Sequence, residues 1–268
     1  MNDYPGRLVL IGDPVSHSLS PAMQNAALRA AGIPLTYEAV RVESRDVGKI
    51  LEEMRAVGGA GNVTIPHKRV VVDVCDDLTD AAARAQACNT FRYVNDTLLV
   101  DNTDVPAFDL VARDLLGDRV ATAHVALLGA GGAAAAVLTA IERWRGAKVA
   151  IVNRSENRAR QLEESFSAFA RVEPDTERAL STATLVVNAT PVGQHDDLHP
   201  CDLSSLGADA AVFDLVYRRG ETPWVKEARR RGHRAVDGMP MLLEQGALAF
   251  EKWFGIAPDR GEMKRALR

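Results

Sequence analysis

Apolar and polar positions keep two rhythms along this chain, and the change between them falls between Val105 and Asp118. In the first part, "RLVLIG" is an unbroken apolar run and predicts a buried strand. "SPAMQNAALRAAG" has helical spacing, with Ser20 suited to the cap, Pro21 to the first turn and Gly32 to the end. "TYEAVRV" predicts a strand. "RDVGKILEEMRAV" predicts a helix with Val47, Ile50, Leu51 and Met54 on its apolar face, and a third strand runs from Asn62 to Ile65. "NTFRYVNDTLLVDNTD" predicts a hairpin turning at Asn95-Asp96, after which "DNTD" closes a strand and opens a helix.

From Thr122 the pattern becomes strand, turn, helix, repeated. "HVALLGAGGAAAAVLTAIERW" predicts a strand, a glycine turn and a buried helix; "KVAIVNR" is the next strand and "SENRARQLEESFSAFA" the next helix. "ATLVVNAT", "AAVFDLVY" and "HRAVDG" predict further strands. Strands alternating with helices imply a parallel sheet with right-handed crossovers. The expected fold class is therefore α/β in two domains, the second Rossmann-like and doubly wound. The strongly apolar final segment, "MPMLLEQGALAFEKWFG", predicts a helix that returns to the first domain.

Composition narrows the function classes. The 268 residues are 47% apolar and carry a net charge of −4 with both signs interspersed, which offers no basic surface to nucleic acid and no charged tail. The apolar run Val125–Ile141 is broken by Gly129, Gly131 and Gly132 and falls short of the ~20 residues of a membrane helix. The start, "MNDYPGRLVL", lacks the basic and apolar regions of a signal peptide. Cys75, Cys88 and Cys201 are odd in number and form no CxxC, as in a reducing, cytoplasmic setting.

The glycine turn supplies Gly129, Gly131 and Ala134 in a G-x-G-x-x-A pattern between a predicted strand and a predicted helix. The first glycine permits the tight turn, the second lets backbone approach a pyrophosphate, and the small third residue lets helix and strand pack. The helix N-terminus then offers free N–H groups to phosphate. At the end of the next strand an NAD site places a carboxylate for the ribose hydroxyl. Here Asn153, Arg154 and Ser155 occupy that place, with Arg158 one turn on. Guanidinium groups grip a 2′-phosphate that a carboxylate would repel, so the charge pattern favours NADP; a solvated helix start is the plainer account of the same arginines. The missing acid also argues against a methyltransferase.

A second polar cluster lies in the first domain. Ser16, Ser18 and Ser20 occupy a strand-to-helix loop in "GDPVSHSLSP". Hydroxyls there can donate to a carboxylate, although Ser20 also suits a helix cap and Ser18 a turn. Lys68 follows a strand end whose approach is fixed by Pro66, and strand ends are where ligand sites collect in α/β folds. Asn89, Asn102 and Asp104 add polar groups along the hairpin. A lysine and an aspartate beside a nicotinamide would have a use, since oxidising an alcohol removes a hydride from carbon and a proton from oxygen.

In order and spacing, "GDPVSHSLSP", "GNVTIPHK", "CNT", "DNTD", "LGAGGAA", "VNRSENR", "NAT" and "DGMPMLLEQGALAFEKWFG" resemble the shikimate dehydrogenase family over nearly the whole chain. The resemblance implies a substrate-binding and catalytic domain over residues 1–105, an NADP-binding domain over 106–239, and 240–268 packing back on the first. It implies reversible reduction of 3-dehydroshikimate to shikimate with NADPH by a monomer or homodimer. On matching positions, Lys68 and Asp104 would form the catalytic pair, Ser18 and Ser20 would bind the substrate carboxylate, and Thr64, Asn89 and Gln245 the ring hydroxyls. Gly129, Gly131, Gly132 and Ala133 would line the pyrophosphate, with Asn153, Arg154, Ser155 and Arg158 at the 2′-phosphate. Tyr217 would lie toward the substrate, and Gly238 and Met241 toward the nicotinamide.

Four places depart from the family pattern without removing a group assigned to chemistry: Val105-Pro106-Ala107 after "DNTD", Pro191, Arg218-Arg219, and Pro240. A relative acting on quinate or aminoshikimate would use the same serine loop. A non-catalytic NADPH sensor on this fold would have no need of Lys68 and Asp104. His195 and His199 have a metal-like spacing, but no third ligand accompanies them, and no metal is expected. Trp144, Trp224 and Trp253 fall at apolar helix positions and are expected in the core or at a domain contact.

Overall fold

The structure, a computed structural model, describes residues 4–268. The chain divides into two compact units. One runs to Asp104 and resumes over Leu242–Arg268; the other is Val105–Met241.

The first unit contains β1 (Leu8–Gly12), α1 (Ser20–Ala30), β2 (Tyr37–Arg41), α2 (Val47–Ala56), β3 (Ala60–Val63), α3 (Lys68–Asp73), β4 (Asp77–Leu78), α4 (Asp80–Ala85), β5 (Thr90–Val94) and β6 (Thr97–Asp101). Its sheet has the order β2-β1-β3-β5-β6-β4. β1 runs parallel to β2 and β3, while β5 is antiparallel to both β3 and β6. The hairpin turns where expected: Asn95 and Asp96 have φ of 48° and 63°, the left-handed pair that a two-residue turn between twisted strands requires. Val47, Ile50, Leu51 and Met54 of α2 are buried and pack with Val9, Ile11, Phe91 and Val100.

Two local expectations change. Ser20 is the first residue of α1, not its cap; the chain turns helical at Leu19, and the Ser20 N–H donates to Ser18 Oγ at 3.2 Å. The third strand stops at Val63, because the Thr64 carbonyl accepts the His67 N–H at 2.9 Å and closes a turn that leads into α3.

α5 (Asp104–Leu116) begins on Asp104, the last residue of this stretch of the first unit, and leads into the second, which continues with β7 (His124–Leu128), α6 (Gly132–Ile141), β8 (Lys148–Val152), α7 (Glu156–Ser165), β9 (Ala170–Val172), α8 (Thr176–Ser181), β10 (Leu185–Asn188), β11 (Ala211–Asp214), α9 (Pro223–Arg230) and β12 (Arg234–Val236). Its sheet has the order β12-β11-β10-β7-β8-β9, every neighbouring pair parallel. Strand order reverses between β7 and β10, the switch point of a doubly wound sheet. The helix expected to reach Ala170 ends at Ser165 instead. Phe166 is buried and closes a turn through the Phe169 and Ala170 N–H groups, and Ala170–Val172 then pairs with β8 as an edge strand.

The chain returns to the first unit through α10 (Met239–Phe254) and α11 (Arg260–Ala266), the latter packing along α1. Trp253 of α10 is fully buried, stacks on Tyr37 with ring centroids 5.8 Å apart, and donates from Nε1 to Thr90 Oγ1 at 3.1 Å. Burying one such side chain stabilises by about 1.5–3 kcal/mol. Trp144 and Trp224 are also buried. Pro106 and Pro240 each fall in the first turn of a helix, where a missing N–H costs nothing. Among the described residues no helix is long and apolar enough to cross a membrane.

Candidate active site

In the first unit, register brings four segments to one sheet edge. β1 and β3 run parallel and end at Gly12 and Val63; β5 begins, and β6 ends, at the same edge. The serine loop, Thr64, Lys68, Asn89 and the "DNTD" turn therefore share that edge. Lys68 begins α3, and its backbone carbonyl accepts the Cys88 N–H at 2.9 Å. That bond ties Lys68 to the residue preceding Asn89.

Lys68 Nζ pairs directly with Asp104 Oδ2. Their side chains are 16% and 10% exposed, so the pair is only partly screened by water. The second oxygen, Asp104 Oδ1, accepts from Asn89 Nδ2 at 2.9 Å. The Asn89 amide has one workable orientation. Its Oδ1 accepts the Thr103 N–H at 2.7 Å, so Nδ2 must face Asp104 and Gln245 Oε1, the latter at 3.2 Å. Thr103 Oγ1 in turn donates to the Gln245 backbone carbonyl at 3.0 Å, which fixes α10 to the cluster. Asn102 is buried; its Oδ1 accepts the Asp104 N–H at 3.1 Å and its Nδ2 donates to the Ala87 carbonyl at 2.8 Å.

Behind Asn89 lies a further layer. Tyr37 donates its hydroxyl to Asn62 Oδ1 at 2.7 Å, and Asn62 Nδ2 donates to the Asn89 carbonyl at 2.9 Å. Cys88 is fully buried, and desolvation pushes its thiol up to about 12 despite the nearby Lys68. It is a packing residue, not a nucleophile. Ser18 is half-buried at the end of the loop after β1, Ser20 is buried as the first residue of α1, and Thr64 is half-buried beyond β3.

In the second unit the candidate residues occupy the C-terminal edge of the parallel sheet. Gly129 has φ +115°, and a Cβ there would lie 2.9 Å from the Ala189 carbonyl oxygen, so only glycine fits. Gly131 caps α6 and has open space where a Cβ would be, while Gly132 and Ala133 form its partly exposed first turn. After β8, Asn153 Nδ2 donates to the Ser155 carbonyl at 2.8 Å and shapes the turn. Arg154 and Arg158 are exposed and make no ion pair or side-chain hydrogen bond among the described residues, whereas Arg160 is tied to Glu156 and Glu163. An open glycine turn, a helix N-terminus and two unpaired cations suit a phosphorylated dinucleotide.

Tyr217 lies beyond β11 in this unit, half-buried, and not in the unit of the serine loop. Gly238 follows β12, where a Cβ would lie 2.2 Å from the Leu215 carbonyl oxygen, and buried Met241 follows in α10. Arg218, one of the departures from the family pattern, donates to the Asp196 carbonyl and to Asp197 Oδ1, each at 2.9 Å, and so holds the loop after β10. Among the described residues no group of three or more His, Cys, Asp or Glu side chains is placed to hold a metal.

Three family models match the chain in succession: the shikimate dehydrogenase substrate binding domain over residues 10–91, the shikimate/quinate 5-dehydrogenase model over 110–205, and the shikimate 5'-dehydrogenase C-terminal domain over 238–268. The NADP-dependent shikimate dehydrogenase of Symbiobacterium thermophilum is 40% identical over 265 residues, covering 94% of this chain and 90% of that one. The chain belongs to the shikimate dehydrogenase family. A crystal structure of the Thermus thermophilus shikimate 5-dehydrogenase, in complex with NADP(H) and shikimate, superposes with a TM-score of 0.89 at 37% identity over 98% of both chains. A quinate dehydrogenase from Corynebacterium glutamicum, in complex with NAD, gives 0.86 at 29% identity over 97% of both.

Shikimate dehydrogenase motifs drew attention to Lys68, Asn89, Asp104 and Gln245, and these four are joined by hydrogen bonds. The motifs assign no role to Thr103, Asn62 or Tyr37, nor to Asn188 and Asp214 of the second unit. Asn62, Asn188 and Asp214 did carry a signal: each is a polar residue within or ending an apolar strand, and a buried polar group needs partners.

Proposed function

We propose that this chain catalyses the reversible NADPH-dependent reduction of 3-dehydroshikimate to shikimate, a step toward chorismate and the aromatic amino acids. The reading rests on the Lys68–Asp104 pair, with both carboxylate oxygens engaged, in a chain belonging to a family whose named members include NADP-dependent shikimate dehydrogenases.

Reduction of the ketone adds a hydride to carbon and a proton to oxygen. Lys68 supplies the proton and, in the reverse direction, takes it back; because oxidation of the alcohol releases a proton overall, that direction gains with rising pH. Asp104 orients that ammonium and the reacting hydroxyl, and Asn89 holds Asp104. Ser18 and Ser20 donate to the substrate carboxylate, Thr64, Asn89 and Gln245 bind ring hydroxyls, and Tyr217 completes the substrate contacts.

NADPH, when bound, supplies the hydride. Gly129, Gly131, Gly132 and Ala133 hold its pyrophosphate; Asn153, Arg154, Ser155 and Arg158 take the 2′-phosphate end; Gly238 and Met241 shape the nicotinamide end. Three free cysteines fit a reducing cytoplasm, and the active species is a monomer or homodimer.

The test is reduction of cofactor by purified protein, followed by absorbance, with shikimate or quinate and with NADP or NAD. Shikimate with NADP should give the highest kcat/KM. The matched shikimate/quinate model supports one second reading, a quinate-preferring enzyme, which a reversed substrate order would establish. Silence in every combination would favour an NADPH sensor and overturn the proposal.

A further inference from the structure

Asp214 is a buried carboxylate that the mechanism above does not use. It ends β11, is 1% exposed, and has no cation among its hydrogen-bond partners. An isolated buried charge is costly, and such a site persists only when its lone pairs are filled by donors. Three donors converge here. Asn188 Nδ2 donates to Oδ1 at 2.8 Å, the Val216 N–H to Oδ1 at 3.1 Å, and the buried Thr222 hydroxyl to Oδ2 at 2.7 Å. Asn188, fully buried at the end of β10, spends its other atom on the next loop: its Oδ1 accepts the Thr190 N–H at 3.0 Å and the Thr190 hydroxyl at 2.6 Å. Its Nδ2 also reaches the Val192 carbonyl at 3.2 Å.

One carboxylate and one amide thus set three segments: the loop after β10, the loop after β11 leading to Tyr217, and, through Thr222, the start of α9. The Val216 carbonyl in turn accepts the Gly238 N–H at 2.9 Å, so Gly238 is referenced to the same frame. An apolar residue at position 214 would fill the space without a desolvation cost but would leave these donors unfilled. The arrangement is better explained by the loop shapes it imposes than by stability alone.

The loops lie on a particular side of the switch point. The phosphate turn follows β7, and the arginines of the 2′-phosphate end follow β8, on one side of β7. A dinucleotide crossing the switch point extends its other half over β10 and β11. We infer that Asp214, with Asn188, is a positioning residue for the nicotinamide half of the cofactor site and leaves the adenosine half untouched. The inference rests on the NADPH reading above.

The test separates the two halves by ligand. NADPH and adenosine 2′,5′-bisphosphate, which carries only the adenosine end, are titrated by calorimetry into the intact protein and the Asp214→Asn variant, and turnover is measured beside them. Asparagine keeps one acceptor oxygen for Asn188 Nδ2 and the Val216 N–H but sets its own Nδ2 against the Thr222 hydroxyl, which already accepts the Val225 N–H as the cap of α9, so the fixed contact between the loop after β11 and α9 is lost. The expected result is kcat/KM for NADPH lowered by about 10²-fold, weaker NADPH binding, and bisphosphate affinity within about two-fold of the parent. Parallel loss of both ligands would make Asp214 a general structural residue, and unchanged turnover would remove it from function; either overturns the inference. If Asp214→Asn does not fold, the isosteric Thr222→Val removes one of the three donors and should show the same split at smaller size. If the parent binds neither nucleotide, the cofactor reading itself has failed; if it binds both without turnover, that reading fails as chemistry while the binding split still tests Asp214.

Discussion

The two candidate edges handle charge in opposite ways. In the first unit the Lys68 ammonium is already paired with Asp104, whose other oxygen is held by Asn89, itself oriented by Thr103. In the second, Arg154 and Arg158 stand exposed without partners among the described residues, and Gly131 leaves space uncovered. A proton-transferring group works best when orientation is settled before the reaction, because reorganisation then adds nothing to the barrier. A site for a multiply charged cofactor gains from the reverse, since a cation already bridged to a carboxylate has less to give a phosphate. A buried preorganised pair marks where chemistry is expected, unpaired cations mark where a ligand's charge is expected, and cations paired at the exposed surface belong to the fold.

The largest effect should come from removing the ammonium. Lys68→Ala is expected to lower kcat by roughly 10²–10⁴-fold with a much smaller change in KM, the signature of a lost acid–base group rather than lost binding. Steady-state kinetics in both directions, with circular dichroism to verify folding, measures it. Near-full turnover would end the distinction drawn between the two edges.

Next in size is the edge of the second unit. Arg154→Ala should raise KM for NADPH by about 10-fold or more, as expected for one charge-assisted contact worth about 1.5–3 kcal/mol. KM for NADH should change little, because NADH carries no 2′-phosphate. Equal losses for the two cofactors would mean that Arg154 supports the loop instead of reading the phosphate.

The legibility of the two edges in the sequence differs as much as their chemistry. The second unit was readable because parallel strands buried on both faces leave unbroken apolar runs, as in "HVALLG" and "ATLVVNAT", and a glycine turn is punctuated on both sides. The boundary of α7 was not, because "SFSAFA" keeps an apolar period while the pairing of Ala170–Val172 with β8 is a tertiary gain that local spacing does not record. In the first unit Lys68, Asn89 and Asp104 stood out as residues, but their mutual contact depends on β3, β5 and β6 meeting at one edge, and register of that kind is written across the whole span from β3 to β6. Ser20 misled locally: serine before a helix is the usual cap, and the neighbouring Ser18 took the work, its Oγ accepting the Ser20 N–H. Thr103 is inconspicuous within "DNTD" because its role, fixing an amide orientation, is visible only when Asn89 lies across from it.

The smallest effect tests the other half of the comparison, that arginines with partners serve the fold. Glu227 accepts from Arg230 at 2.7 and 2.8 Å and from Arg231 at 2.6 Å near the end of α9. Those guanidinium hydrogen bonds hold its carboxyl well down, to about 2. The folded value lies below the ~4.3 of an unfolded glutamate. Its contribution to stability is therefore present above about pH 4 and lost as pH falls through about 2. Because the cluster is at the surface, Glu227→Gln should lower Tm at neutral pH and low salt by no more than about 2 °C. The difference from the parent should shrink both with added sodium chloride and on acidification. The ratio of NADPH to NADH kcat/KM should not move, in contrast to Arg154→Ala. A Glu227→Gln protein with altered cofactor preference would show that paired and unpaired arginines on this unit are not separable by role, and the rule drawn from the two edges would fail at the surface of the same domain.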